Sequence, residues 1–310
     1  MSENFRSLMV CAGDDLDTMT SFSRAAADCY MIDLENKIPE DRKASARAIA
    51  VKGLSLDWGR RIRGVRVNEV PGPHFAADVQ DIARARPDFI MLPKVHTRSE
   101  VEHVARLLDS IPGAGNIRLW VCVETCAGVQ YVDEIASASP RMQVLFFGKG
   151  DYATDMGIKK NSIRSSSPLA GHPREVELTY ARSRIATSAK AHGLMAIDPG
   201  ESYTRTDVNA TFEAALYAYQ FGFDGVIAWI PEQIETIHKA FAPSADDLDW
   251  ARKVVAAHEA GAREGKASIQ LEGVAVTAPL AKSAQALLRR ATELAEWDAA
   301  LLRPRAEARA

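Results

Sequence analysis

The stretch IRLWVCVETCAGVQ, residues 117–130, decides how the chain is read. A largely apolar, β-branched and aromatic run stops at Glu124 and Thr125, and a small-residue segment containing Gly128 opens directly behind it. That is a buried strand ending in a carboxylate and handing over to a new element. The same pattern recurs in SLMVCAG (7–13), CYMIDLE (29–35), RIRGVRVN (61–68), DFIMLPKV (88–95), QVLFFGKGD (143–151), LMAID (194–198) and DGVIAWI (224–230), giving eight candidate strands. Between them lie segments of helical period such as SEVEHVARLLDSI (99–111), ELTYARSRIATSAKAHG (177–193) and TFEAALYAYQFG (211–222), the last two ending at a glycine suited to a helix C-terminus.

Eight strand–helix units over about 250 residues are the arithmetic of a (β/α)8 TIM barrel, an α/β fold. A doubly wound open sheet is the alternative, but its first turn would carry a glycine-rich phosphate cradle, and CAGDDLD (11–17) offers one glycine followed by Asp14 and Asp15. The barrel is expected over residues 1–241. Residues 242–310 read as a C-terminal helical extension: a helix, a Gly/Lys/Ser connection, a short extended piece and a second helix, acting as a cover, a lid or a subunit-swapped arm.

With 310 residues, 47% hydrophobic and 25% charged, the chain has the composition of a soluble globular protein. A net charge of -3 gives no footprint for nucleic acid, and the basic end with Arg303, Arg305 and Arg309 reads as a solvated tail. No apolar run approaches the ~18 residues that span a bilayer, and the N-terminal run is too short for a signal peptide, so a cytoplasmic location is expected. Cys11, Cys29, Cys122 and Cys126 form no CxxC pair, which argues against a disulfide framework or a zinc site.

Barrel active sites are built where the strands end. Here those ends carry Asp33 and Glu35, Arg66 and Asn68, Lys94, Glu124 and Thr125, Lys149 and Asp151, and Asp198. One charged residue after a strand is usually a solvated loop position; charges converging from six neighbouring strands are costly without a ligand. Glu124 and Asp151, on adjacent strands, suit a hard divalent cation such as magnesium, which takes oxygen donors and keeps positions for water and substrate. Arg66 beside such an ion would stabilise an enolate.

These residues resemble the citrate lyase β-subunit-like proteins, including malyl-CoA and citramalyl-CoA lyases, of the HpcH/HpaI aldolase superfamily. The resemblance rests on RSLMV (6–10), MIDLEN (31–36) with Lys43, VRVNEVPGPHFAADV (65–79), IMLPKVHTRSEV (90–101), VETCAGV (123–129), FGKGDYATDMG (147–157), ELTYARSRI (177–185), AIDP (196–199), FGFDG (221–225), IPEQIE (230–235) and FAPSADDLDWARKV (241–254). It implies a metal-dependent carbon–carbon lyase or aldolase that joins or splits a 2-oxo acid and an acyl thioester, using Mg2+ with Mn2+ as the alternative ion. Glu124 and Asp151 would hold the metal, and Arg66, Glu35 and Asp33 would form the catalytic group. Arg66, Asn68, Lys94, Ile197 and Asp198 would contact substrate, the last two along the thioester arm. Homotrimers or homohexamers are implied as well.

The chain departs from the family pattern at several positions. The family's Pro-Gly-Asp-Arg type turn, whose arginine helps hold coenzyme A, reads Ala12, Gly13, Asp14 and Asp15 here, and an acid in place of that arginine would repel a pyrophosphate. Asn36, Gly150 and Ile230 replace family polar residues, and Thr277 stands where an acid precedes Ala-Pro in the extension. A threonine is a poor proton shuttle at neutral pH. Two further readings follow: a coenzyme A-independent 2-oxo acid aldolase, and a catalytically impaired protein that binds the metal and oxo acid.

Overall fold

The computed structural model describes residues 4–158, 175–200 and 205–301; the basic tail with Arg303, Arg305 and Arg309 lies outside the described residues. Eight strands, β1 (Ser7–Ala12), β2 (Cys29–Asp33), β3 (Ile62–Arg66), β4 (Phe89–Leu92), β5 (Arg118–Val123), β6 (Met142–Phe147), β7 (Met195–Asp198) and β8 (Gly225–Ala228), pair in sequence order. All pairings are parallel, and β8 closes on β1. The expected (β/α)8 barrel is therefore present. Each strand is shorter than its sequence run: Lys149 and Asp151, read as the end of a strand, lie in the helix Lys149–Asp155.

Alternation along the strands sorts side chains into two cores. Leu8, Met31, Met91, Trp120, Phe146, Ile197 and Ile227 fill the barrel interior, where Phe89 stacks on Trp120 with ring centroids 3.6 Å apart. Ile32, Val65, Ile90, Val121 and Leu145 face outward into the helix layer. All four cysteines are free. Among the described residues no helix is long and apolar enough to cross a membrane.

Beyond the barrel, the helix Ala245–Arg263 starts on a capping box between Ser244 and Asp247. It packs with the helix Ala278–Leu301 around Ala251, Val254, Val276, Ala281 and Ala284. The single extended piece expected between them is an antiparallel hairpin, β9 (Ile269–Leu271) and β10 (Val274–Val276). Its turn holds Glu272 at φ 49° and Gly273 at φ 82°, the left-handed pair of a tight hairpin turn; glycine suits it and glutamate disguises it.

The last helix crosses the barrel at the end opposite the expected site. Trp297 and Leu301 join the interior core, and Trp297 Nε1 donates to Asp28 Oδ1 at 3.0 Å, just before β2. Arg6, just before β1, holds Asp28 through two side-chain hydrogen bonds of 2.9 Å and also pairs with Asp298 on the helix. This helix plugs the bottom of its own barrel and is not a lid on its own mouth.

Candidate active site

The β2–β3 register sets Asp33 beside Arg66. The Arg66 guanidinium donates Nε to Asp33 Oδ1 at 2.9 Å and Nη2 to Oδ2 at 2.6 Å, a two-pronged pair that fixes its plane. Asp33 is fully buried and also accepts the Glu35 N–H at 2.9 Å. Glu35 lies with one oxygen 3.2 Å from Arg66 Nη1 and the other 3.0 Å from Lys94 Nζ, yet neither oxygen accepts a well-directed hydrogen bond. The loop under it is tied down by buried Lys43, which donates to the carbonyls of Leu34 and Glu35 at 2.9 and 2.7 Å.

Lys94 has backbone in the left-handed region, φ 47°, and its N–H donates to Glu124 Oε1 at 2.9 Å. Its ammonium bridges Glu35 and Glu69, and these acids hold its pKa above the ordinary lysine value against the opposing effect of burial. Glu124 is 2% exposed. Burial pushes its carboxyl up to about 7, although Arg66 and a hydrogen bond from the Cys122 thiol pull the other way. The Cys122 thiol, wholly enclosed beneath it, is itself raised by burial.

Gly148 makes room for that carboxylate. A Cβ at position 148 would fall 2.3 Å from Glu124 Cβ and 2.4 Å from Oε2. Only a residue with no side chain lets the end of β6 pass so close, and three residues later the chain presents half-buried Asp151 in the first turn of its helix.

Together these residues fit a hard divalent cation: the donors are carboxylate oxygens, and a buried carboxylate whose ionised form is costly gains from an adjacent cation. Among the described residues the group of three ligand atoms within 4.8 Å is elsewhere, at Asp28, His238 and Asp298. There Arg6 already bonds both carboxylates, so no ion is required.

Not every expected residue joins the mouth. Asn68, expected to contact substrate, turns its amide onto Asp78 Oδ2 at 2.6 Å, toward the helix Phe75–Arg84. Ile197 faces the barrel interior. Asp198, next in the strand, points to the helix layer, where Arg182 Nε donates to Oδ2 at 2.8 Å and the Gly200 N–H to Oδ1 at 2.8 Å. Asp15 caps the helix Leu16–Phe22 by accepting from Thr18 N and Oγ1, which hold its carboxyl below the ordinary value, and Asp14 pairs with Arg42 at 2.7 Å.

Sequence reasoning missed Gly148, Cys122, Glu69, Glu175 and Arg182. Arg182 left a signal: in the helix Thr179–Ala191 it shares the buried stripe of Ala181, Ile185 and Ala189, where a cation needs a partner. Glu175 pairs with both Arg182 and Lys149; although burial raises its carboxyl, the two cations hold it below the ordinary range.

The HpcH/HpaI aldolase/citrate lyase family matches residues 6–231. L-malyl-CoA/β-methylmalyl-CoA lyase of Cereibacter sphaeroides is 30% identical over 281 residues, covering 86% of this chain and 88% of its own. Citrate lyase subunit beta of Escherichia coli is 30% identical over 292 residues, 92% of this chain and 93% of its own. The crystal structure of CitE from Mycobacterium tuberculosis in complex with magnesium, acetoacetate and coenzyme A superposes with a TM-score of 0.76 at 29% identity, covering 93% of this chain and 98% of that one. With a family match over most of the barrel, relatives at this identity along most of both chains, and the closed barrel itself, the protein belongs to the HpcH/HpaI aldolase/citrate lyase family.

Proposed function

We propose that the protein is a magnesium-dependent carbon–carbon lyase that splits or forms the bond between a small 2-oxo acid and an acyl thioester. The observation that carries this reading is Glu124: a buried carboxylate with one oxygen fixed by the Lys94 N–H and the other against the side-chain-free surface of Gly148, across from Arg66. Glu124 and Asp151 would hold Mg2+, or Mn2+ as the alternative, and that ion would polarise the oxo-acid carbonyl.

In the cleavage direction a 3-hydroxyacyl thioester loses its hydroxyl proton as the carbon–carbon bond breaks. The oxo acid leaves, and the electron pair remains on the acyl fragment as an enolate that must gain a proton. Arg66, held in one plane by Asp33, neutralises the charge that develops on oxygen, an interaction stronger in the transition state than in the ground state. Asp33 serves as a positioning residue, since Arg66 and the Glu35 N–H engage its oxygens. Glu35, paired in charge with Arg66 and Lys94 but without a well-directed hydrogen bond, is the acid left to receive one from the reacting groups. Lys94 would reach a substrate carboxylate by exchanging it for Glu69 at the exposed rim.

The second reading, an aldolase that needs no coenzyme A, is favoured by Asp15 in the first strand–helix turn and by Ile230 after β8. Malyl-CoA and citramalyl-CoA are compared with free 4-hydroxy-2-oxo acids at equal concentration, following released glyoxylate or pyruvate. The thioester reading expects kcat/KM at least tenfold higher on a thioester; the reverse preference would replace it with the second.

A further inference from the structure

Five residues between the ends of β6 and β7 and the helix layer close a ring. Asp198 Oδ2 accepts from Arg182 Nε at 2.8 Å, and Arg182 Nη2 donates to Glu175 Oε2 at 2.6 Å. Lys149 Nζ donates to Glu175 Oε1 and to the Gly200 carbonyl, each at 2.7 Å, and the Gly200 N–H returns to Asp198 Oδ1 at 2.8 Å. Two acids alternate with two bases, so the ring is neutral. It lines a cavity of about 260 Å3 together with Glu213, Ala214 and Tyr217.

Two features separate the ring from an ordinary surface ion pair. The Asp198 and Arg182 side chains are 2% exposed, and those of Lys149 and Glu175 no more than 15%, so the bonds are little screened. Glu175 occupies the left-handed region at φ 51°, which costs a non-glycine residue energy and persists only where the surroundings impose it. The two cations gripping its carboxylate supply that constraint.

What the ring ties together matters for the reaction. One side is the end of β7; the other is Lys149, the first residue of the helix that presents Asp151 two positions later. We propose that the ring positions Asp151 for metal binding, with Glu175 and Arg182 acting as positioning residues through Lys149. The inference rests on the proposed metal site. Asp198 then acts behind the site, not along a substrate arm. Groups that orient ligands from behind usually contribute 10- to 100-fold in metal affinity.

The test is Mn2+ binding by electron paramagnetic resonance on the full chain, comparing the parent, Glu175→Gln, Lys149→Met, and Asp298→Asn as a control at the opposite end of the barrel, with thermal stability recorded for each. Expected are a tenfold or greater loss of Mn2+ affinity and an altered bound-Mn2+ spectrum in Glu175→Gln, with Asp298→Asn within twofold of the parent. Lys149→Met, at the ring's rim, carries the same expectation should Glu175→Gln fail to fold. Glu175→Gln or Lys149→Met binding within twofold of the parent with an unchanged spectrum would overturn the inference. So would an equal loss in Asp298→Asn, which would reduce the effect to general destabilisation. A parent that binds no Mn2+ would overturn the metal site as well, and with it the proposed function.

Discussion

At the scale of single residues, the mouth is a set of charges that depend on one another. Among the described residues Arg66 is the only side chain bonded to the carboxylate oxygens of fully buried Asp33, so Arg66→Met strands a charge in the protein interior. Breaking such a pair from one side costs about 3–5 kcal/mol, whereas replacing both partners with uncharged groups can cost little. Arg66→Met should therefore lower the unfolding midpoint in urea and abolish turnover, and the double variant Arg66→Met/Asp33→Asn should recover most of the stability and none of the turnover. Glu124 adds a pH signature. Its carboxyl is raised from 4.5 to about 7 in the fold, so between those values the unfolded chain holds fewer protons than the native one. This residue's contribution to metal-free stability is then fully present below about pH 4.5 and lost as pH rises to about 7. Protons also compete for the ligand, and Mg2+ affinity measured by calorimetry should fall by about tenfold per pH unit below 7.

At the scale of elements, the eight strands were legible because each is a short buried run broken by turns and helical periods. The extension's hairpin was not, because Glu272 in a left-handed turn carries no sequence mark. Strand ends exposed the candidate site without showing which way each side chain points. Successive residues of a strand face opposite sides, so Ile197 enters the barrel while Asp198 meets Arg182 in the helix layer; a list of charges at strand ends does not record that parity. Asn68, past the end of β3, is claimed by Asp78 of the next helix, a partner distant enough to be invisible before the fold is known. The junction between β6 and its helix carries its own prediction. Gly148→Ala forces a carbon into the space of the Glu124 side chain, so Mn2+ affinity should drop at least tenfold while circular dichroism remains that of the parent.

At the scale of the whole molecule, the barrel divides its labour between its two ends. The bottom is closed by Trp297 and by Arg6 between Asp28 and Asp298, a structural seal made of the chain's own last helix. The top gathers Asp33 and Arg66 at the ends of β2 and β3 and Glu35, Lys94 and Glu124 just after β2, β4 and β5, with Asp151 on the helix after β6. Family membership and this geometry lead to the same central claim, metal-dependent cleavage of a bond between an oxo acid and an acyl fragment. Its most direct measurement is oxo-acid release from a panel of 3-hydroxyacyl thioesters and free hydroxy-oxo acids, in Mg2+ and after EDTA treatment, for the parent and Glu124→Gln. The account predicts release by the parent in Mg2+ from at least one of these substrates, falling at least 100-fold with EDTA or in Glu124→Gln. Undiminished release in EDTA or in Glu124→Gln, or no release from any substrate by a parent that binds Mg2+, would contradict it.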